Sequence, residues 1–373
     1  MEKNVSERHN KKTYLEMLRI IAILMVIYNH TPGFATPPPY GGTALVFLHN
    51  LTMELCKMAV PVFFMISGAL LLNRDAPLRV IFRKRILRFL IVIVGYGLLQ
   101  YAYAIYENSG EMQWSWRLVM QTIYSGWPIN LQSASYPSAV WFLYAYLAMM
   151  LFLPILRMLA KAMETKHYIY LFSLQILLMG ALPLTTSILY SEGACGFSRT
   201  CSYFPFVLGG IYATYMLLGH FCENVLDKTP HRNILVKNLL WATPLSLFLG
   251  AAGMYLFPNI RTIGIPNEMQ QSGFTASFLI LPCAFFYLLT KKLIGYFPQE
   301  SVIGRILCYL GGGVFTVMLT ENLFRANLMS LYETLVPHLG VHFASCVLAL
   351  ATFCPAVLLG CLLKKLPVVR KYV

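Results

Sequence analysis

Long apolar runs, separated by short clusters of lysine and arginine, recur from one end of this 373-residue chain to the other. A bilayer core of about 30 Å takes roughly 20 residues of helix, so runs of this length are long enough to cross it. Ten are found, near residues 15–34, 51–73, 86–106, 139–160, 168–190, 202–221, 238–257, 273–290, 307–323 and 341–363. Composition agrees, with 58% of residues hydrophobic and 12% charged, where soluble chains carry about a quarter charged. A water-soluble globule is excluded, and the apolar content is far too high for a disordered chain. The expected fold is all-α: a polytopic membrane protein of about ten transmembrane helices, forming one integral membrane domain over residues 1–373.

An even number of spans puts both termini on one side. Sorting the loops alternately places every basic residue on that side except Lys57, Arg117, Arg199, Arg261 and Arg325. By the positive-inside rule the N- and C-termini are cytoplasmic. The net charge of +14 therefore reads as juxtamembrane clusters facing membrane lipid. Nucleic acid is not an expected partner, because there is no continuous basic patch with stacking aromatics. The basic flank, the apolar run Ile20 to Tyr28 and Gly33-Phe34-Ala35 also have the shape of a cleavable leader. Polar residues within the same segment argue for keeping it.

Ionisable groups inside a membrane are costly and read as functional by default. Arg19 and His30 are eleven residues apart, which is three helical turns plus about 20°, so they share one face about 16 Å apart. The alternative is that Arg19 snorkels to headgroups and His30 ends its helix at Asn29-His30-Thr31-Pro32. Arg85 and Arg88, three apart at the cytoplasmic mouth of the third run, share a face as well. Planar forked donors suit phosphate, although orientation signal and anionic-lipid contact account for most such clusters.

With these residues in view, the chain resembles the acyltransferase-3 family of integral membrane acyltransferases. The likeness rests on Leu18-Arg19-Ile20-Ile21-Ala22 leading to His30, on Val60-Pro61-Val62-Phe63-Phe64-Met65-Ile66-Ser67-Gly68, and on the Arg85 and Arg88 pair. Trp141-Phe142-Leu143 and the segment Tyr203 to Gly210 are similar too. One departure is Glu321, which stands where many members carry a histidine. A carboxylate there can orient the His30 imidazole, or it can pair with Arg325 one turn later.

The resemblance implies transfer of an acyl group, most often acetyl, from cytoplasmic acyl-CoA (acetyl-CoA in the commonest case) to a hydroxyl acceptor. His30, Arg19 and Glu321 are the catalytic candidates; Arg85 and Arg88 are the candidates for binding CoA. His30 can act as general base or as a transient acyl carrier. Family members commonly modify surface polysaccharides and lipid-linked sugars, so a glycan of the bacterial cell envelope is the expected acceptor and the inner or plasma membrane the expected location. Trp114, Trp116, Trp127, Tyr124 and Tyr136 are either stacking platforms for sugar or an interfacial aromatic belt. No metal-ligand spacing is seen; of nine cysteines, only Cys195 and Cys201 are placed to pair. The competing class is a transporter or flippase, for which Gly311-Gly312-Gly313 and several span prolines would break helices.

Overall fold

The computed structural model describes residues 12–35, 43–107, 114–125, 140–177, 181, 210–256, 279–367 and 369–371. Among these the regular structure is helical throughout, with no strand. The principal helices are α1 (Thr13–Asn29), α2 (Thr43–Lys57), α3 (Ala59–Leu71), α4 (Leu87–Glu107), α5 (Trp116–Ser125) and α6 (Val140–Ala162). They continue with α7 (Thr165–Ile176), α8 (Gly210–His220), α9 (Arg232–Leu256), α10 (Ile280–Ile294), α11 (Val302–Asn327) and α12 (Met329–Leu363). Among the described residues, five stretches are long and apolar enough to cross a membrane: Ala44–Leu71, Trp141–Ala162, Arg232–Ala252, Val302–Asn327 and Met329–Leu363. The second expected run thus begins earlier than its hydropathy suggests, because α2 leads into α3 through a single turn at Met58. Cys195, Cys201, Trp127, Tyr136 and residues 203–209 lie outside the described residues.

α1 is central. Leu18, Ala22, Ile23 and Ile27 are fully buried, and the helix packs against α2, α3, α10, α11 and α12. Where α1 crosses α11, Gly311 lets the backbones approach: a Cβ there would collide with the Glu16 side chain. Gly360 does the same for the α11–α12 crossing, where a Cβ would run into the Thr316 side chain. The glycine triplet therefore packs helices together and does not interrupt α11, which continues through it. Pro154, Pro244 and Pro355 likewise sit inside helices that run on past them. One true break occurs in α12, at Gly340, whose φ of 74° is a left-handed conformation that favours glycine.

The crossing of α3 and α8 explains much of the Val60 to Gly68 motif. A Cβ on Gly68 would run into the Met216 carbonyl, and one on Gly219 into the Met65 carbonyl. Phe64 stacks on Tyr212 with ring centroids 4.4 Å apart, and Ser67 Oγ donates back to Phe63 O at 2.9 Å. The motif's apolar residues are packing residues.

Below this core, Glu223 fastens three helices. Its carboxylate accepts from Lys12 beside the start of α1, from Tyr14 Oη at 2.7 Å and from Tyr287 Oη of α10 at 2.9 Å. Lys291 Nζ lies 3.5 Å away. Burial pushes the Glu223 carboxyl up, but these donors and ammonium charges outweigh it and hold it below its ordinary value.

Gly68→Ala and Gly219→Ala should each destabilise the protein by about 1–3 kcal/mol, the cost of overpacking a fixed contact. Gly95→Ala is the control: a Cβ there meets nothing, and the change should stabilise its helix by roughly 0.5–1 kcal/mol. Thermal unfolding of the detergent-purified variants measures both.

Candidate active site

His30 is the C-cap residue of α1, its φ of −96° and ψ of 3° turning the chain out of the helix. Its ring Nδ1 lies 2.6 Å from Glu321 Oε1 on α11. Glu321 is 1% exposed and the His30 side chain 25%. Where Nδ1 of a neutral ring donates to the carboxylate, the Nε2 lone pair is left free. That is the tautomer a proton acceptor needs. Arg325 stands one turn further along α11, with Nε 3.7 Å from Glu321 Oε2. The capping role of His30 and the Glu321–Arg325 pairing are thus not alternatives to the imidazole–carboxylate contact; all three coexist.

Arg19 is placed differently. Its Nη1 lies 2.5 Å from Glu16 Oε1, one turn back on α1. Glu16 is buried, and its Oε2 has no hydrogen-bond partner among the described residues. The eleven-residue separation keeps Arg19 about 16 Å from His30 along the axis, so the structure does not bring these two candidates together.

Arg85 and Arg88 do come together, around an aromatic cluster. Arg85 lies in a π-turn, Phe82–Ile86, and Arg88 in the first turn of α4; both are half-buried. Arg88 interacts electrostatically with Arg85 and with Tyr146. Tyr146 Oη in turn lies 3.4 Å from Ser67 Oγ, which joins the Ser-Gly end of the α3 motif to the arginine pair. Phe89 bridges onward, with ring centroids 4.7 Å from Tyr146 and 6.0 Å from Phe315 of α11. Arg157 belongs to the same region: it donates to Leu71 O at 3.0 Å and Ala76 O at 3.2 Å, pinning the turn between α3 and the arginine pair.

Sequence reasoning passed over several polar residues. Glu16 and Glu54 were visible as acids inside apolar runs. Glu54 is 1% exposed and packs on Gly250. Tyr28 Oη and His342 Nδ1 are hydrogen-bonded at 2.8 Å, and the Gly33 N–H donates to Ser345 Oγ at 2.9 Å. These last contacts tie the end of α1 and the turn after His30 to α12, and carry no local signal.

The sequence profile of the family described as an acyltransferase domain, acyltransferase-3, matches residues 12–365. The chain belongs to the acyltransferase-3 family. It is therefore an acyltransferase, and family and apolar helices together point to a membrane protein. The enzyme reading thus prevails over the transporter. No protein of curated function and no solved structure matches the chain.

Arg19→Met removes the partner of a buried carboxylate and should cost about 1.5–3 kcal/mol, the range for hydrogen bonds to charged groups. Adding Glu16→Gln to that variant should recover most of the loss. Melting temperatures of the three proteins, with wild type, check this.

Proposed function

We propose that this acyltransferase moves an acyl group, acetyl in the commonest case, from cytoplasmic acyl-CoA to a hydroxyl of a cell-surface or lipid-linked glycan. The reading places it as a multi-pass protein of the inner or plasma membrane of a bacterial cell envelope, with ten spans and both termini cytoplasmic. The observation that carries it is the 2.6 Å contact between His30 Nδ1 and Glu321 Oε1, at the end of a helix that also bears Arg19 toward its opposite end.

In the general-base route, Nε2 of His30 takes the acceptor's hydroxyl proton as the oxygen attacks the thioester carbonyl carbon. The C–S bond then breaks, and the departing thiolate takes the proton back from Nε2, releasing CoA with its thiol. In the acyl-carrier route, Nε2 attacks the same carbon first and expels CoA thiolate; the acceptor hydroxyl then attacks the acyl carbon, Nε2 leaves, and the hydroxyl proton goes to the thiolate. Both need an unprotonated Nε2 and a Glu321 carboxylate that holds Nδ1–H. Arg85 and Arg88 supply two forked cations for the CoA phosphates, and the pantetheine arm must carry the thioester up to the level of His30. Arg19, held by Glu16, steadies the donor.

His30→Ala should lower kcat by about 10²–10⁴, the usual worth of a positioned acid–base group, with CoA affinity unchanged. Arg85→Ala and Arg88→Ala should each weaken CoA binding by about 1.5–3 kcal/mol, roughly ten- to a hundredfold. Release of CoA thiol by purified protein measures the first, and titration calorimetry with CoA the second. Normal turnover in His30→Ala would sink the assignment; unaltered CoA affinity would return the arginines to lipid contact and topology.

A further inference from the structure

We propose that a cleft between α7, α8, α9 and α10 holds one acyl chain of an anionic phospholipid, with the lipid phosphate on a ring of cations at the cleft's mouth. None of the residues lining it belongs to the proposed reaction centre.

The cleft has a volume of about 220 Å³. It is floored by the buried Leu218 and Phe221, while Ile169 of α7 and Val236 of α9 are exposed at its lip. Its walls are chiefly hydrocarbon. A dry apolar cavity of about 150 Å³ takes up a benzene, so this space admits a hydrocarbon chain, whereas a helix about 10 Å across is too wide for it. The charges lie at one end. On α7, Lys166 is three residues before Ile169 and seven before Ser173; on α9, Arg232 is four before Val236 and seven before Leu239. On α10, which runs the other way, Lys292 is four after Leu288 and eight after Ala284. Residues at these spacings share a helix face, so each of the three wall helices carries a cation one turn beyond its lining. Contacts bring those ends together: Thr165 Oγ1 is 2.9 Å from Thr229 Oγ1, and Asp227 meets both Arg232 Nε, at 3.0 Å, and Lys291 Nζ, at 3.1 Å. Lys166 pairs with Glu164 at 3.0 Å. Pairs this exposed are worth little and do not keep the cations from a phosphate. Lys228 and Lys292 stand exposed at the same end, so positive charge there exceeds the contacting carboxylates Glu164, Asp227 and Glu223. From Leu288 back to Ile280 the lining descends two helical turns, about 12 Å, close to half of a hydrocarbon core about 30 Å thick. That depth below a cationic rim matches a lipid of one leaflet, its chain in the cleft and its anionic headgroup on the ring.

The test places the purified protein in phosphatidylcholine nanodiscs with a minor fraction of phosphatidylglycerol and reads the lipid that stays bound by native mass spectrometry. Wild type should retain phosphatidylglycerol in preference to phosphatidylcholine. Lys166→Gln, Arg232→Gln and Lys292→Gln should each weaken that retention about fivefold, the worth of one basic residue at an anionic surface. Lys237→Gln is the control: Lys237 is exposed on α9 but does not line the cleft, and retention should be unchanged. Ala242→Trp, filling the cleft from its partly exposed side, should expel the chain and abolish retention of either lipid. Photo-crosslinking in the wild-type protein decides the matter should that variant fail to fold: phosphatidylglycerol with a diazirine in its acyl chain should label Ile169, Leu239 or Leu288, located by peptide mass spectrometry. Equal retention of the two lipids, untouched by the glutamine variants, would overturn the proposal. So would retention that survives Ala242→Trp, or crosslinks confined to other helices. Displacement of the bound lipid by palmitoyl-CoA at equal concentration would also overturn it, because the cleft would then hold the chain of a long acyl donor.

Discussion

Three buried carboxylates govern α1, and the proposed reaction centre depends on how each is compensated. Glu223 grips the start of the helix through Lys12 and Tyr14; Glu16, within it, holds Arg19; Glu321 meets its last residue, His30. An uncompensated charge in a low-dielectric interior costs far more than a paired one gains. These acids therefore fix the axial position of α1 more strictly than its apolar surface does, because leucine and isoleucine contacts tolerate a small slide and an orphaned carboxylate does not. The imidazole is presented at a defined height by electrostatics, on a helix whose sides are merely greasy.

Packing supplies what charge cannot, namely the close approach of backbones. Helix pairs in an apolar solvent gain little from burying hydrocarbon and associate through small residues that bring main chains together. The crossings at Gly68 with Gly219 and at Gly311 with Glu16 follow that rule. The two systems meet where Ser67 hydrogen-bonds to Tyr146 beside Arg88, so a packing motif of α3 ends against the cations assigned to the donor.

Much of this was legible in sequence, for identifiable reasons. Apolar length and basic boundaries reveal helices because membrane helices satisfy their backbones internally, and helical spacing sufficed to put Arg19 and His30 on one face. The contact between His30 and Glu321 joins residues 291 apart in the chain; only the family resemblance pointed to position 321. Arg19 illustrates the limit of periodicity: a shared face says nothing about which neighbour a guanidinium takes, and the acid three residues away was nearer than the histidine eleven away. Arg157 falls in sequence among the basic residues of the cytoplasmic side, yet it is buried with its guanidinium on two carbonyls, a role that depends on where a distant turn folds back.

The left-handed Gly340 divides α12 into limbs of unequal reach. At 1.5 Å per residue the preceding limb, 329–339, spans about 16 Å, and the following one, 341–363, about 34 Å. Only the second matches the thickness of a hydrocarbon slab. The first is a stub half as tall, and the limb just past the corner is pinned to both sides of His30, to the end of α1 through Tyr28–His342 and to the turn after it through Gly33–Ser345. A single achiral residue thus decides that the ceiling above the imidazole is an elbow with its vertex stitched down, where an unbroken rod would have carried the same residues away from it.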